Sequence, residues 1–352
     1  MPTTHIELLF THSGKKVPLY TGTFSYRSKV SLSDTLNITN KCILIETKRS
    51  SLNTKPLQSH NSTFYKQIIK SLCLYYLLEK HPNQLRKINL TKRSSGKIKS
   101  KEEISKIDIR QVVKKSANLA VLKDINNLKA QIVLQETETG KAVLNAATHL
   151  IKSIDSSSAY DRFEKLWRAF NALYRAFAKQ NTDHDCHVAL RAHLLANPNL
   201  FPLSLSKVAS LTAQDIRKNI RLNAMILNNH STQVKTKGFA DSVKRNTDRR
   251  ILEIYDLSLP IREKFLKTAH LYTDLVAYIA AGIAKNSTCD AEVVSLLCIK
   301  YMYFVRNKIA HAEKTDHGFT FTKASADEAE ISWLAPFLEA LVVDMINISD
   351  TF

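Results

Sequence analysis

Arg306, Asn307 and His311 stand close together in the stretch Tyr301-Met302-Tyr303-Phe304-Val305-Arg306-Asn307-Lys308-Ile309-Ala310-His311. A guanidinium is a permanent fork of donors suited to phosphate oxygens, and an imidazole exchanges a proton near neutral pH. RNA carries its own nucleophile, the 2′-hydroxyl, which DNA lacks. An enzyme that cuts RNA therefore needs only to help deprotonate that hydroxyl, hold the crowded phosphate and help the 5′-oxygen leave. His311 suits one of those proton transfers as general base or acid. Arg306 suits the non-bridging oxygens as charge builds on them. No metal is required, and the expected products are a 2′,3′-cyclic phosphate, or its 3′-phosphate successor, and a 5′-hydroxyl.

The spacing alone is weak evidence. With 16 arginines and 12 histidines in 352 residues, chance supplies about half an occurrence of Arg followed five positions on by His. Five residues along a straight helix rotate by about 140°. Asn307 and His311, four apart, share a face, whereas Arg306 has to reach around unless the helix bends or ends within the motif. The competing reading is a structural arginine at a helix end beside a surface histidine.

The chain must bring these groups together with a strongly basic surface. Its formal charge is +19, and residues 1–130 hold 24 Lys and Arg against 8 Asp and Glu, a net of +16. Such a segment suits a polyanion, with nucleic acid ahead of an acidic protein partner or simple solubility. The cations crowd between Arg86 and Lys115, and Arg86, Lys87, Lys92, Arg93, Lys97 and Lys99 are the candidate RNA contacts there. Around Gly96 this stretch reads as an exposed loop, either a solvated linker or a phosphate-binding surface. Lys308 and Lys314 are further phosphate candidates beside the motif. Five cysteines without a CxxC pair argue against a disulfide framework and fit a reducing cytoplasm. The apolar run 271–284 contains Asp274 and is too short to span a bilayer, so no membrane association is expected.

Few glycines and prolines, 7 and 8, favour helices. Ile6–Phe10 and Cys42–Glu46 read as strands, and Thr63–Lys80 as a helix stopped by His81-Pro82-Asn83. From about residue 130 apolar residues recur at helical spacing. Helices are expected over 143–154, from Ser158 or Asp161 through Phe177, over 188–195, from a Thr212 capping box through Leu227, from Pro260 to about Ala284, from an Asp290 cap into the motif, and over 327–348 with Pro336 inside. Asn228–Arg250 reads as a loop or weak helix, and Phe319–Thr322 as a brief extended segment. The fold class is α+β: a basic, mixed or β-rich N-terminal domain, 1–130, followed by a predominantly α-helical domain, 131–352.

The second of those helices reads Phe163-Glu164-Lys165-Leu166-Trp167-Arg168-Ala169-Phe170-Asn171-Ala172-Leu173-Tyr174. A Trp–Phe–Asn–Tyr helix followed over a hundred residues later by Arg-Asn-x-x-x-His resembles the HEPN superfamily, with the flavour of the ApeA-like and related HEPN domains of prokaryotic defence proteins. The resemblance covers about Gln131 to Phe352. It implies a helix bundle that dimerises, each protomer bringing its Arg-x4–6-His motif to a shared cleft where RNA is cut without a metal or cofactor. Carried over by position, Arg306 and His311 are the motif's arginine and histidine, Asn307 its polar second residue, and Asn171 a candidate for the cleft. A toxin or antiphage effector is implied, with an antitoxin or phage-derived trigger as possible partner. The alternative is a non-catalytic HEPN dimer acting as an RNA-binding or regulatory scaffold.

Other signals are weaker. Asp183-His184-Asp185-Cys186-His187 holds metal-ligating types, but adjacent rather than at structural-zinc spacing, and reads as a helix cap with surface histidines. No Gly-rich phosphate loop occurs. Trp167 and Trp333 stand at core spacing, and Lys165, Arg168 and Arg175 fall on the polar side of their helix.

Overall fold

The computed structural model describes residues 3–26, 29–48, 57, 62–310 and 325–352. The fold is α+β, a six-stranded antiparallel sheet near the N-terminus followed by a mostly helical remainder. Two compact units form: Met1–Lys179 with Met345–Phe352, and Gln180–Asp344.

In the first unit, strand periodicity decides the sheet. Along β1 (Thr3–Phe10), Thr4, Ile6, Leu8 and Phe10 are buried while the residues between them stay partly exposed, the period of two that a half-buried strand requires. With β2 (Pro18–Tyr26), β3 (Lys29–Thr39) and β4 (Cys42–Thr47) it forms the order β2-β3-β4-β1-β5-β6. Helix α1 (Thr63–Glu79) starts at Ser62, whose side chain accepts from Tyr65 N, and stops at Lys80 in the left-handed region (φ 60°) just before His81-Pro82. Its Tyr75 stacks on Phe10 at 3.8 Å and donates to the Asn40 carbonyl at 3.0 Å, fastening the helix to the buried face of the sheet.

The stretch read as a loop around Gly96 is instead a hairpin of β5 (Leu85–Ser94) and β6 (Lys97–Ser105). Two features make it so. Ile88 and Leu90 fall opposite Leu8 and Ile6 of β1. Ser95 and Gly96 both take positive φ, 50° and 77°, the pair of values a tight two-residue hairpin turn needs. The lysines mask this alternation because their long stems lie along a strand while their heads stay in water. Strand β6 forms the exposed sheet edge, where lysines discourage further pairing.

After α2 (Asn127–Ala130) come α3 (Glu138–Ile154) and α4 (Ala159–Ala178), started by Thr137 and Ser158 caps. Trp167, Phe170 and Tyr174 bury one aromatic face of α4. These helices belong with the sheet, so the units divide at 179/180 rather than at 130/131. The buried Lys70 of α1 shows what ties them together. Its ammonium donates to the Leu134 carbonyl at 3.0 Å and pairs with Glu136 at 2.7 Å, holding 134–136 against α1.

The second unit is helical: α5 (Asp183–Ala196), α6 (Pro202–Val208), α7 (Ala213–Asn219), α8 (Leu222–Asn229), α9 (Thr236–Lys244), α10 (Arg249–Ser258), α11 (Glu263–Thr268), α12 (Tyr272–Lys285), α13 (Asp290–Val294), α14 (Met302–Ala310) and α15 (Ala326–Asn347), the last turn of α15 lying in the first unit. A π-helical turn, Ser295–Tyr301, joins α13 to α14. The Thr212–Asp215 capping box is present. Its helix ends at Asn219, not Leu227, because Ile220 is extended and Arg221 N is taken by the Tyr301 hydroxyl at 2.7 Å. The run from Pro260 breaks at His270 (φ 56°) into α11 and α12. The polar stretch 228–250 contains α9, whose buried Phe239, Ala240 and Val243 make one apolar face. Cys289 rather than Asp290 holds the cap position of α13. Phe319–Thr322 lies outside the described residues. Among the described residues no helix is long and apolar enough to cross a membrane.

Replacing Lys70 by methionine leaves the Leu134 carbonyl without its buried donor and Glu136 without its partner. It is expected to lower the unfolding free energy by about 2 kcal/mol, read by urea denaturation. An unchanged midpoint would mean that this contact does not hold 134–136 to α1.

Candidate nucleic-acid interface

The motif helix, residues 290–310, is held at its start by buried charge. Asp248, fully buried, accepts from Arg250 Nη2 at 2.7 Å and from Cys289 N at 2.5 Å. Glu292 accepts from Thr247 N at 2.7 Å and Asp248 N at 2.8 Å. Arg250 also reaches Asp290 at 2.8 Å and the Val208 carbonyl at 3.1 Å. These bonds join the starts of α10 and α13 to the end of α6. Farther along, Tyr301 donates its hydroxyl to Glu330, which pairs with Arg221.

Between these anchors the helix unwinds into its π turn, and this aims the side chains. Residues 295, 299, 303 and 307, and likewise 296, 300, 304 and 308, all face one cavity. In a regular α-helix residues four apart drift by about 40° per step, so a ladder of three steps would turn away by about 120°. The slower i to i+5 winding of the π turn offsets that drift, and such turns recur at functional sites. Asn307 and Lys308 of the motif thereby join Lys300, Tyr303 and Phe304 on one wall.

The opposing walls come from α5, the end of α8, the end of α9 and Tyr255 of α10. His184, His187, Val188, Arg191 and Ala192 form a single stripe of α5, spaced as one helix face requires. Arg191 donates to the Arg245 carbonyl at 2.8 Å, tying α5 to the end of α9. The cavity has a volume of about 740 Å³, within the range of small-molecule and cofactor sites. Among the described residues its charged lining side chains are Arg191, Lys235, Arg245, Lys300 and Lys308, with no carboxylate beside them. Aromatic surfaces accompany the cations: His187 meets the Tyr303 ring edge-on at 4.9 Å, and Lys308 Nζ lies 5.8 Å from the Phe304 ring centre. Cations with aromatic rings between them suit a single strand, whose phosphates and bases need both.

The candidate residues fall out unequally. Arg306 is half-buried and outside the cavity lining, but its Nη1 donates to Asn307 Oδ1 at 2.9 Å, so the guanidinium is tied to a lining residue. His311 and Lys314 lie outside the described residues. Asn171 belongs to the first unit, where its Oδ1 accepts from Arg175 Nε at 2.9 Å. Arg86, Lys87, Lys92, Arg93, Lys97 and Lys99 lie on the β5–β6 hairpin, also of the first unit. Lys87 pairs with Glu103 at 2.7 Å, and that outer face also carries Glu7 and Glu46, so it is mixed in charge. Sequence reading missed His230, Lys235, Arg245 and Lys300, and set His184 and His187 aside. The fourfold ladder from 295 to 308 and the 184–187–191 stripe were the available signals, though neither names a cavity until the elements pack.

His230 differs from the other lining groups. Burial first, then the Lys300 ammonium, press its pKa down to about 4. No family model, no curated protein and no solved structure matches the chain.

Because unfolding returns His230 to an ordinary histidine pKa near 6.5, the unfolded chain binds the extra proton first. The folded state therefore loses stability as pH falls from about 6.5 toward 4. Denaturant melts between pH 7 and 4.5 are expected to show this slope, and His230→Gln is expected to flatten it. An identical slope in the variant would remove His230 as its source.

Proposed function

We propose that this chain is a metal-independent endoribonuclease of HEPN type, cutting RNA by attack of the 2′-hydroxyl, in a cytoplasmic setting. One observation supports the reading most: Asn307 and Lys308, inside the Arg-Asn-x-x-x-His motif, line a cavity whose charged walls are all cationic. In this reading the cations bind the backbone and Tyr303 and Phe304 offer faces to bases. Arg306 supports Asn307 and stabilises the phosphate as negative charge grows. His311 carries the proton. Homodimerisation, and control by an antitoxin or a phage-derived trigger in toxin or antiphage defence, follow from the HEPN resemblance.

A second reading is an RNA-binding scaffold that does not cut. It is favoured by Arg306 standing outside the cavity lining, with one guanidinium N–H bonded to Asn307.

The deciding experiment incubates purified protein with single-stranded RNA and transfer RNA, with and without EDTA. The nuclease reading expects cleavage that survives EDTA, ends in 2′,3′-cyclic phosphate and 5′-hydroxyl, and falls by about 100-fold or more in His311→Ala and Arg306→Ala. Cleavage unchanged in His311→Ala would end the catalytic assignment. Binding without cleavage would leave the scaffold.

A further inference from the structure

His230 closes α8, with its ring edge-on to Phe239 at 5.6 Å and Phe239 in turn edge-on to Tyr255 at 6.2 Å. The Lys235 backbone is the one influence on the ring that favours its protonated form. The charges that act on this ring all have one sign: Lys300 from the π turn, Lys235 from the turn after α8, and Arg262 from the turn before α11. The other walls add Arg191, Arg245 and Lys308, with His184 and His187 as the remaining imidazoles.

We propose that this cavity binds the phosphodiester of a single-stranded nucleic acid, and that His230 takes up a proton as the anion enters. The proposal rests on the cavity used in the ribonuclease reading, but not on cleavage: a strand that cannot be cut must bind and draw the proton all the same.

The physical basis is a change of sign around the ring. In the free protein, burial and the three cations hold His230 neutral through the physiological range. A phosphate among those cations cancels their repulsion and adds an attraction, so the imidazolium becomes favoured. Between pH 4 and the ordinary histidine range the bound state then holds more protons than the free state. By linkage, binding must strengthen as pH falls. If the bound ring returns to the ordinary value near 6.5, affinity at pH 5 exceeds that at pH 8 by about thirtyfold.

The test is calorimetric titration with a four-thymidine deoxyribonucleotide in about 50 mM salt, in buffers of different ionisation enthalpy. Its thymines and phosphodiesters do not titrate between pH 5 and 8, and it lacks the 2′-hydroxyl. The expected result is proton uptake centred near pH 5, approaching one per strand, with the matching gain in affinity. His230→Gln should lose the proton uptake and with it the gain in affinity toward pH 5. Uptake unchanged in that variant, or no binding by the wild type, overturns the proposal. Should the variant not fold, the wild-type profile still decides. A centre near pH 5 supports His230, whereas a centre near pH 7 overturns the assignment. Thymidine monophosphate binding more tightly than the strand would overturn the strand as ligand. Failure of RNA cleavage with this linkage intact would sink only the nuclease reading.

Discussion

The winding of one helix governs the functional reading. Residues 290–310 place eight side chains on one wall of a cavity, and they do so because the helix slackens into a π turn at Ser295–Tyr301. Such a turn trades i to i+4 hydrogen bonds for i to i+5 ones and is rare, occurring mostly as a single turn within an α-helix. Here the near end is fixed by Asp248, Arg250 and Glu292, the far end by Tyr301, Glu330 and Arg221. The buried charges thus serve geometry. They set the phase of the helix, and the phase sets which of Arg306, Asn307 and Lys308 looks into the cavity.

That wall meets others of the same sign. Among the described residues, five cations and no carboxylate line about 740 Å³, so their positive potentials add there. Burial first, then the like charges of this set, keep His230 neutral. The β5–β6 hairpin makes an instructive contrast. It carries more lysines in a shorter stretch, yet Glu103, Glu7 and Glu46 share its outer face and Lys87 is paired.

Much of the fold was legible in the sequence. Short apolar runs marked parts of β1 and β4, the Thr212 capping box marked a helix start, and the aromatic face of α4 stood out. The β5–β6 hairpin was not legible, because lysines occupied both faces of its alternation. The 179/180 division was not either, since it depends on long-range packing, such as Lys70 bonding the Leu134 carbonyl 64 residues away, that no local spacing encodes. For the site, Asn307 and Lys308 were found by motif. His230, Lys235 and Arg245 come from elements whose convergence no local spacing encodes.

The account's central claim is that a nucleic-acid strand enters the cavity faced by the motif helix. Photocrosslinking of single-stranded RNA carrying 4-thiouridine, followed by peptide mapping, tests it most directly. The account predicts crosslinks within residues 290–310 and 183–196, at Tyr303, Phe304 or His187. Crosslinks confined to the hairpin at residues 85–105, with none on those two segments, would contradict it.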